Sequence, residues 1–526
     1  MRSGARIPCV PKSGRRKSCS RRASRSASAS WYQRGQVSKF AESLTEADWA
    51  VPVRRLQLRW TEDALHVIPL RSESRCRSLL ESYGSELVPR YTSYPPANRW
   101  DESLSDADAR KAIPRSNRPL SLYVHVPFCR KLCFYCGCNM LVTRNAALVE
   151  QYLRALEMEV ERLASLLPRT PEVVQLHLGG GTPTYLEPEQ LTRLVLMLRE
   201  HFAWKPQVEA SIEVHPAVTT VEQMRVLAGL GFNRVSMGVQ DFDPVVQSRV
   251  NRIQQWEQTR DLVQASRDLG FVSINVDLMY GLPRQTVHGF MRTLDRIEEL
   301  RPERVALFGY AHVPSLKRRQ GQFTPEELPS SELRLALFEK SLARLQDAGY
   351  QYIGLDHFAL PTDELSQARA NGTLRRNFMG YTTCAETDVL AFGPSAISDI
   401  GGAYLQNERE VHRWAKRLED GGLAVSRGHW LSFEEGARRD ILAQLFCQLE
   451  VDFDEVARRY PGVFDDEFQQ EWSALERLER DGLVQRAGEN RFRVSLEGQL
   501  LLRSVAAALD PYFRARNPVR LHAPAL

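Results

Sequence analysis

Acidic residues are absent from the first 41 positions of this 526-residue chain, although that stretch contains eleven lysines and arginines. The whole sequence has 70 basic and 65 acidic residues and a formal net charge of +5. Beyond position 41 the remaining 59 basic residues face 65 acidic ones, so this larger part carries −6. A bulk nucleic-acid binder concentrates basic charge on its folded domain. We therefore expect no nucleic-acid partner.

Long hydrophobic runs are also missing, since no stretch of about 18 apolar residues occurs. We therefore expect no membrane insertion. Cysteine is sparse, at nine residues, and four of the nine crowd into positions 129–138. A disulfide framework would spread its cysteines along the chain, so the crowding favours a reducing compartment. The expected location is cytoplasmic.

Residues 1–85 form a basic extension that the composition predicts to be largely disordered. The first 40 residues are rich in Arg, Ser and Ala, and large apolar residues are almost absent before Trp31. Such a segment cannot bury enough surface to fold alone. Organelle transit peptides share this composition, which makes an organelle the alternative location. The other interpretation is an unstructured extension that arises from an upstream start of translation.

From Leu120 onward, apolar runs alternate with helical periodicity, a pattern typical of a parallel sheet covered by crossover helices. The predicted strands are 120–126, 173–178, 208–214, 234–239, 272–278 and 304–310. The longest predicted helices are 148–167 and 286–300. The predicted fold class is therefore α/β, a partial or complete (β/α) barrel with functional groups at the carboxyl ends of its strands.

Three further segments are predicted from changes of pattern along the chain. Residues 86–118 are expected on the substrate side of the barrel, and residues 119–405 hold the barrel and the strands that follow it. Residues 406–526 are predicted to be a mainly helical, winged-helix-like domain. A winged helix can bind DNA, but acidic residues run across this one. The charge therefore favours a structural or lid-like role over a DNA-binding regulator.

Three cysteines stand close together just after the first predicted strand, in VHVPFCRKLCFYCGCNM. Cys129, Cys133 and Cys136 have C-x3-C-x2-C spacing. Three thiolates on one short loop can hold three corners of a cubane iron–sulfur cluster and leave the fourth iron without a protein ligand. Zinc is the alternative, but structural zinc sites need a second Cys or His pair about 12 to 20 residues on. The next candidates, His177 and His215, come much later.

The cysteine spacing, with the aromatic Tyr135 before the last cysteine, resembles that of the radical S-adenosylmethionine (SAM) enzymes, in which SAM binds the open iron. Longer strings narrow the resemblance: RYTSYPPA at 90–97, CGCN at 136–139 and YIGLDHFALPTDEL at 352–365. Together they resemble the oxygen-independent coproporphyrinogen III oxidases over roughly residues 88–510. The chain departs from that family at Cys384 and Ala385, where Gln-Gly is common.

The resemblance implies an oxidoreductase of haem (porphyrin) biosynthesis that uses one 4Fe-4S cluster and two molecules of SAM. The implied reaction is the oxidative decarboxylation of two propionates of coproporphyrinogen III to vinyl groups, which gives protoporphyrinogen IX by a 5′-deoxyadenosyl radical mechanism. A low-potential donor such as flavodoxin or ferredoxin would supply electrons, and we expect a monomer. The alternative is a haem chaperone of the same lineage, although such chaperones typically lack RYTSYPPA and CGCN.

A glycine run follows the second predicted strand, in LHLGGGTPTYL. Missing side chains let a ligand approach the backbone, although a lone glycine run often marks only a tight turn. In the resembled family these residues contact SAM. The resemblance therefore assigns SAM binding to Gly179, Gly180, Gly181 and Thr182.

Four polar side chains stand at or beyond predicted strand ends. Glu213 ends the third strand, Gln240 follows the fourth and Asp277 nearly ends the fifth, while Arg252 is predicted to begin a helix. They would converge on the barrel mouth, where ribose hydroxyls suit such donors and acceptors. Taken singly, each is more often a helix cap or a satisfied buried group. The resemblance assigns Glu213 to the first SAM and the other three to the second.

Other assignments follow from the resemblance alone. Tyr135, Ala311 and Ile397 are implied SAM contacts. Tyr123, which would otherwise be interpreted as a core aromatic, becomes a candidate catalytic residue whose hydroxyl contacts the first SAM. Cys138 is the second catalytic candidate, and we expect it to point away from the cluster face, as a packed thiol or a substrate-side group.

Basic residues are expected where a tetrapyrrole with four propionates approaches the site. The candidates by charge and position are Arg90 and the run Lys317, Arg318 and Arg319. A solvated basic run explains them equally well.

Overall fold

The computed structural model describes residues 79, 82–83, 87–169, 171–464, 468–514 and 523–524. The predicted basic extension, 1–85, lies outside the described residues except at positions 79, 82 and 83. A search of the described part of the chain for helices long and apolar enough to cross a bilayer finds none.

The strands of the described chain are numbered β1 to β21 in chain order. They are Leu87–Val88, Leu120–Val126, Phe128–Cys129, Leu141–Val142, Glu172–Gly180, Ala203–Val214, Arg234–Gln240, Ser273–Tyr280, Arg304–Gly309, Gln351–Gly354, His357–Ala359, Arg375–Asn377, Gly380–Thr382, Asp388–Phe392, Ile397–Ile400, Ala403–Asn407, Val425–Trp430, Glu450–Asp452, Val484–Gly488, Arg491–Val494 and Ala523–Pro524.

The α-helices of the same ranges are numbered α1 to α16. They are Asp106–Ala112, Ala146–Leu166, Pro188–His201, Val221–Gly229, Pro244–Arg249, Trp256–Asp268, Val287–Leu300, Ser331–Asp347, Glu364–Ala370, Val411–Glu419, Phe433–Gln448, Phe453–Arg459, Gln469–Arg480, Leu496–Leu500, Leu502–Ala508 and Pro511–Arg514.

One twelve-stranded sheet dominates the fold, in the order β10-β11-β9-β8-β7-β6-β5-β2-β14-β15-β16-β17. Strands β2 and β5 to β9 lie side by side in chain order, and each pairs in parallel with its neighbours. Helices connect them, so the predicted α/β class and (β/α) barrel are confirmed. The barrel is partial, because β10 and β17 stand at opposite ends of the strand order.

Strand β2 lies inside this sheet, between β5 and β14, and pairs in parallel with both. Its burial is complete except at Tyr123, which is half-buried, because sheet neighbours and covering helices leave little of it in water. Helix α2 covers part of this surface. Asn145 caps the helix by accepting from the backbone N–H groups of Ala147 and Leu148. The hydroxyl of Tyr152, on this helix, donates to the carbonyl of His125 at 2.8 Å and so fixes the carboxyl end of β2.

The main sheet continues through β15, β16 and β17, which pair antiparallel to one another. It therefore extends to Trp430, beyond the predicted domain boundary near 405, and that boundary stays a prediction. A second apolar core lies among α11 to α15, beside the three-stranded antiparallel sheet β18-β20-β19. Tyr91 and Tyr94 of the RYTSYPPA segment are buried in this second core.

Candidate active site at the carboxyl ends of the parallel strands

The loop that carries the three predicted cysteine ligands begins at the carboxyl end of β2. The backbone N–H of Thr182, just past β5, donates to the carbonyl of Phe128 at 2.9 Å. The side-chain amide of Asn251 donates to the carbonyl of Leu132 at 2.7 Å. Strands β3 and β4 pair in parallel, which brings the end of the loop back beside its start. The loop is therefore fixed from several sides of the barrel mouth.

The three cysteines of this loop line one wall of a cavity of about 1190 Å³. All three thiols are free of disulfides. The Sγ of Cys129 lies 3.6 Å from Oγ1 of Thr182, and Arg252 donates to the Sγ of Cys133 at 3.5 Å. A cubane cluster attaches each thiolate to a different iron, so its ligands need not meet at one point. The loop and the cavity suit such a cluster.

The zinc alternative would need side chains that converge on one ion. Among the described residues, no three Cys, His, Asp or Glu side chains are grouped in that way. The Nδ1 of His177 lies 2.6 Å from Oγ of Ser211, and its ring stacks on Tyr123. The Nδ1 of His215 accepts from the backbone of Ala217 at 3.2 Å. Both histidines predicted as alternative zinc ligands therefore have partners of their own.

Cys138, which we expected to point away from the cluster face, stays a predicted catalytic residue. It lines the same cavity, and its thiol is hydrogen-bonded to that of Cys136. This bond lowers the pKa of Cys136 and raises that of Cys138.

Glycines bring the end of β5 against the cysteine loop. Gly180 has φ +115°, and a Cβ added there would lie 2.7 Å from the imidazole of His125. A Cβ on Gly181 would lie 2.7 Å from the carbonyl oxygen of Phe128. Side chains at these positions would push the strand away from the loop. The glycine run therefore serves the packing of the chain itself as well as the approach of a ligand.

Glu213 lies one residue before the end of β6 and has two hydrogen-bond partners. The backbone N–H of Gly180 donates to Oε2 at 3.0 Å, and Nε2 of His177 lies 3.3 Å from Oε1. Burial raises the pKa of Glu213, but these two bonds outweigh burial and hold the pKa below its usual value. Glu213 is therefore an ionised acceptor at the cavity wall.

Asp277, on the neighbouring part of the wall, differs from Glu213 in its proton affinity. Asn275 donates to one carboxylate oxygen at 2.7 Å, and the hydroxyl of Ser236 donates to the other at 3.3 Å. Burial and the negative charge of Glu213 raise the pKa of Asp277 to about 6, against the effect of these bonds. Two carboxyl groups of different proton affinity therefore face one cavity.

The sequence pattern predicts that Arg252 begins a helix, but in the structure it does not. Helix α5 ends at Arg249 and α6 starts only at Trp256, so Arg252 lies in the connection between them. Asn251 has φ +55°, a left-handed conformation that ends helical geometry. From this position the guanidinium donates to the carbonyl of Gly238 and to the thiol of Cys133.

Polar atoms of the cavity wall lack partners in the part of the chain that the structure describes. They are Oε1 of Gln240, Nε of Arg252 and Oε1 of Gln254. Gln240 also has φ +72°, a conformation that is uncommon for a residue with a side chain. Buried polar atoms without partners are costly, so a polar ligand would satisfy this wall. Free thiols beside such a wall fit an iron–sulfur cluster with an organic ligand.

Most predicted site residues meet at this cavity. They are Cys129, Cys133, Tyr135, Cys136, Cys138, Gly180, Gly181, Thr182, Glu213, Gln240, Arg252, Asp277 and Ala311. The cavity lining does not include Tyr123, Gly179 or Ile397. Tyr123 instead contacts Nδ1 of His125 through its hydroxyl, at 3.0 Å. A Cβ on Gly179 would lie 3.0 Å from Glu213, so this glycine makes room for that carboxylate.

Of the basic candidates, Arg90 and Lys317 line the cavity, whereas Arg318 and Arg319 are not part of the lining. Lys317 donates to the carbonyl of Gly137 in the cysteine loop. Arg319 contacts the sulfur of Met140 at 3.1 Å.

Sequence reasoning missed several polar members of the lining. They are Ser236, Asn251, Gln254 and Gln320. The side-chain amide of Gln320 donates to the carbonyls of Tyr135 and Ala311, at 3.1 Å each, and so supports two predicted contacts from behind. The available signal was position alone, since Ser236 lies in β7 and Asn251 precedes Arg252.

Comparison with known proteins places this chain in a family. The radical SAM superfamily model matches residues 123–297. The chain is 44% identical over 429 residues to oxygen-independent coproporphyrinogen III oxidase of Salmonella typhimurium, a match that covers 81% of this chain and 93% of that protein. The Pseudomonas aeruginosa protein of the same name is 42% identical over 437 residues, which are 82% of this chain and 95% of that protein.

The chain belongs to the oxygen-independent coproporphyrinogen III oxidases. The solved structure of the Escherichia coli family member, coproporphyrinogen III oxidase (HemN), a radical SAM enzyme, superimposes with a TM-score of 0.78. It shares 42% identity and covers 81% of this chain and all of that one. Membership of the radical SAM superfamily implies a 4Fe-4S cluster and SAM as cofactors. The predicted family and the predicted radical SAM oxidoreductase are thus confirmed.

Proposed function

We propose that the protein carries out the oxygen-independent oxidative decarboxylation of two propionates of coproporphyrinogen III, giving protoporphyrinogen IX in haem biosynthesis. The observation that carries this proposal is the 44% identity to a relative of that name over 93% of the relative's length. The cavity beside the cysteine loop is consistent with the proposal, because it joins three free thiols to a wall of hydrogen-bonding groups.

Cys129, Cys133 and Cys136 are the proposed ligands of the 4Fe-4S cluster, with SAM on the fourth iron. Their spacing on one anchored loop and their shared cavity support this assignment. Cluster and SAM, when bound, supply the radical chemistry that removes hydrogen from the propionate. The chain's own residues bind, orient and keep water away.

For the first SAM, we propose contacts from the glycine run, Thr182 and Glu213. The backbone at the end of β5 offers close approach, and the ionised Glu213 offers an acceptor for amino or hydroxyl donors. Ala311 and Tyr135 would pack against this molecule, since both line the cavity. The contacts of Tyr123, Gly179 and Ile397 rest on the family resemblance alone.

The second SAM is assigned to Gln240, Arg252 and Asp277. The unpartnered atoms of Gln240 and Arg252 support a polar ligand at that wall. A cavity of about 1190 Å³ also exceeds the usual size of a single-ligand pocket, roughly 300 to 1,000 Å³.

We further propose that Cys138 and Tyr123 act near the reacting groups. In addition, we expect a flavodoxin or ferredoxin as electron donor, a monomer, no nucleic-acid partner and a cytoplasmic location.

The test is an anaerobic incubation of the reconstituted protein with SAM, a low-potential reductant and coproporphyrinogen III. We expect protoporphyrinogen IX and two molecules of carbon dioxide per substrate. Cys133→Ser should lose both the product and the iron–sulfur absorbance. Cys447→Ala is the matched control, because Cys447 is buried in a separate small core and does not line the cavity. Stable haem binding without decarboxylation would contradict the proposal and favour a haem chaperone.

A further inference from the structure

Residues 311–328, here called the strap, follow β9 and lie against the cysteine loop. Phe323 of the strap and Tyr135 of the loop belong to one small buried apolar cluster. The far end of the strap is fixed by an ion pair, in which Nε of Arg249 donates to Glu327 at 2.7 Å. The strap is therefore a packed part of the barrel mouth.

Gln320 lies in the middle of the strap, in a short 3-10 helix, and is only 2% exposed. Its amide nitrogen donates to the carbonyls of Tyr135 and Ala311, at 3.1 Å each, and its oxygen accepts from the backbone N–H of Val313 at 2.6 Å. The two carbonyls decide which end of the amide is the nitrogen, because an oxygen there would face two acceptors. A buried amide is costly unless it is hydrogen-bonded, so these three bonds favour a single orientation of Gln320.

The two carbonyls that Gln320 binds belong to different parts of the proposed site. Tyr135 immediately precedes Cys136, a proposed cluster ligand, whereas Ala311 is a proposed SAM contact just past β9. All four residues line the cavity. One side chain therefore connects the cysteine loop to the wall that would contact SAM.

The carbonyl just before each cysteine of the motif accepts a hydrogen bond from a different part of the barrel. The donors are the backbone N–H of Thr182 before Cys129, the side chain of Asn251 before Cys133 and the side chain of Gln320 before Cys136. A bond to the peptide that precedes a ligand restricts the direction in which that ligand points. Each of the three thiols thus has its own support, and Gln320 supports the last one.

We propose that Gln320 is a positioning residue that sets the place of Cys136, and with it one corner of the cluster, relative to the SAM contact at Ala311. The inference rests on the proposed cluster and SAM sites. Replacement of a group that orients metal ligands from behind changes metal affinity or activity by roughly 10- to 100-fold.

The experiment measures SAM binding to the anaerobically reconstituted protein, by calorimetric titration and by the change that SAM causes in the electron paramagnetic resonance signal of the reduced cluster. Gln320→Met removes both donors, and a methionine fits irregular apolar surroundings. We expect it to weaken SAM binding about tenfold and to alter the signal of the SAM-bound cluster. Gln320→Glu should weaken SAM binding more, because its carboxylate would face two carbonyl oxygens.

Gln322→Met is the matched control. Gln322 lies in the same short helix, is exposed, donates to the carbonyl of Arg319 and does not line the cavity. This variant should bind SAM as the wild type does.

Wild-type SAM affinity and an unchanged signal in Gln320→Met would overturn the proposal, whatever the melting temperature of the variant. Equal losses of SAM affinity in Gln320→Met and Gln322→Met would overturn it as well. Failure of the proposed function is a separate result, because neither measurement contains coproporphyrinogen. In that case the protein makes no protoporphyrinogen IX, while its SAM affinity still depends on Gln320.

Discussion

Behind the main sheet the buried carboxylate of Glu159 accepts from three donors, whereas at the cavity the side-chain oxygen of Gln240 accepts from none in the described part of the chain. The donors to Glu159 are the backbone of Gly393 at 2.7 Å, the amide of Asn407 at 2.6 Å and the indole of Trp414 at 3.2 Å. These bonds tie α2 to the turn after β14, to β16 and to α10. Every member is satisfied within the protein.

The difference separates two uses of buried polar groups. A closed network such as that of Glu159 stabilises the fold and fixes one arrangement of its elements. An open group, such as the side-chain oxygen of Gln240, contributes little to the fold and has hydrogen-bonding capacity left for a ligand. Stability measurements can therefore distinguish the two kinds of group without any assay of activity.

The largest effect is expected from Glu159→Ala. Removal of the carboxyl group takes the acceptor from the backbone of Gly393 and the indole of Trp414 and leaves Asn407 only its bond to the carbonyl of Gly393, which should lower the free energy of unfolding by about 3 to 5 kcal/mol. Urea denaturation measures the loss. Glu157→Ala, on the same helix, removes only an exposed pair with Arg193 and should cost at most about 0.5 kcal/mol. Equal losses of unfolding free energy in the two variants would show that the hydrogen-bond network of Glu159 does not stabilise the fold.

An intermediate effect is expected from Glu435→Gln, and it should depend on pH. Burial raises the pKa of Glu435, but hydrogen bonds from His429, Ser432 and Tyr512 lower it to about 2. Since the unfolded-state pKa is about 4.3, ionised Glu435 stabilises the fold above that pH and loses this effect as the pH falls toward 2. The free energy of unfolding should therefore be higher in the wild type than in the variant at pH 7. At pH 3 this difference should be smaller by about 2 kcal/mol.

Unfolding in urea at the two pH values tests this expectation. Glu476→Gln, at an exposed position on α13, is the control and should show no such change between pH 7 and pH 3. A stability difference between wild type and Glu435→Gln that is the same at both pH values would refute the assignment.

The smallest effect on stability is expected from Gln240→Ala. Its side-chain oxygen has no partner in the described ranges, so the free energy of unfolding should change by no more than about 0.5 kcal/mol. Gln247→Ala should cost about 1 to 2 kcal/mol, because the amide of Gln247 donates to Asp241 and accepts from Gln254. Calorimetric titration with SAM should show the reverse order, with Gln240→Ala the weaker binder. A large loss of stability in Gln240→Ala would show that this side chain stabilises the fold and is not held in reserve for a ligand.

The parallel strands were predictable because their apolar runs are continuous and bounded. The run at 120–126 matches β2 residue for residue, and that at 234–239 misses only the last residue of β7. Strand β6 starts at Ala203, five residues before the predicted start. The prediction missed its exposed first half because Lys205 and Pro206 are not typical of a strand. Strands β10 to β17 were not predicted one by one, because short strands resemble the connections around them in pattern.

The site was predictable where a motif carries it and unpredictable where only the fold assembles it. Spacing and the family resemblance identified the cysteines and the glycine run. No local pattern connects Gln320 with Tyr135 and Ala311, whose carbonyls accept from its side-chain amide only because the fold brings these segments together. The prediction that Arg252 begins a helix was wrong for a related reason, because a single residue in the left-handed conformation, Asn251, changes the direction of the chain.

The parallel pairing of β2 with β14 also has a consequence for biosynthesis. Leu120 pairs with Asp388, more than 260 residues later in the chain. Domains fold as the ribosome releases them, and pairings between distant segments form last. The cysteine loop therefore leaves the ribosome long before β2 has its second neighbour, so the sheet that supports the loop is complete only near the end of translation.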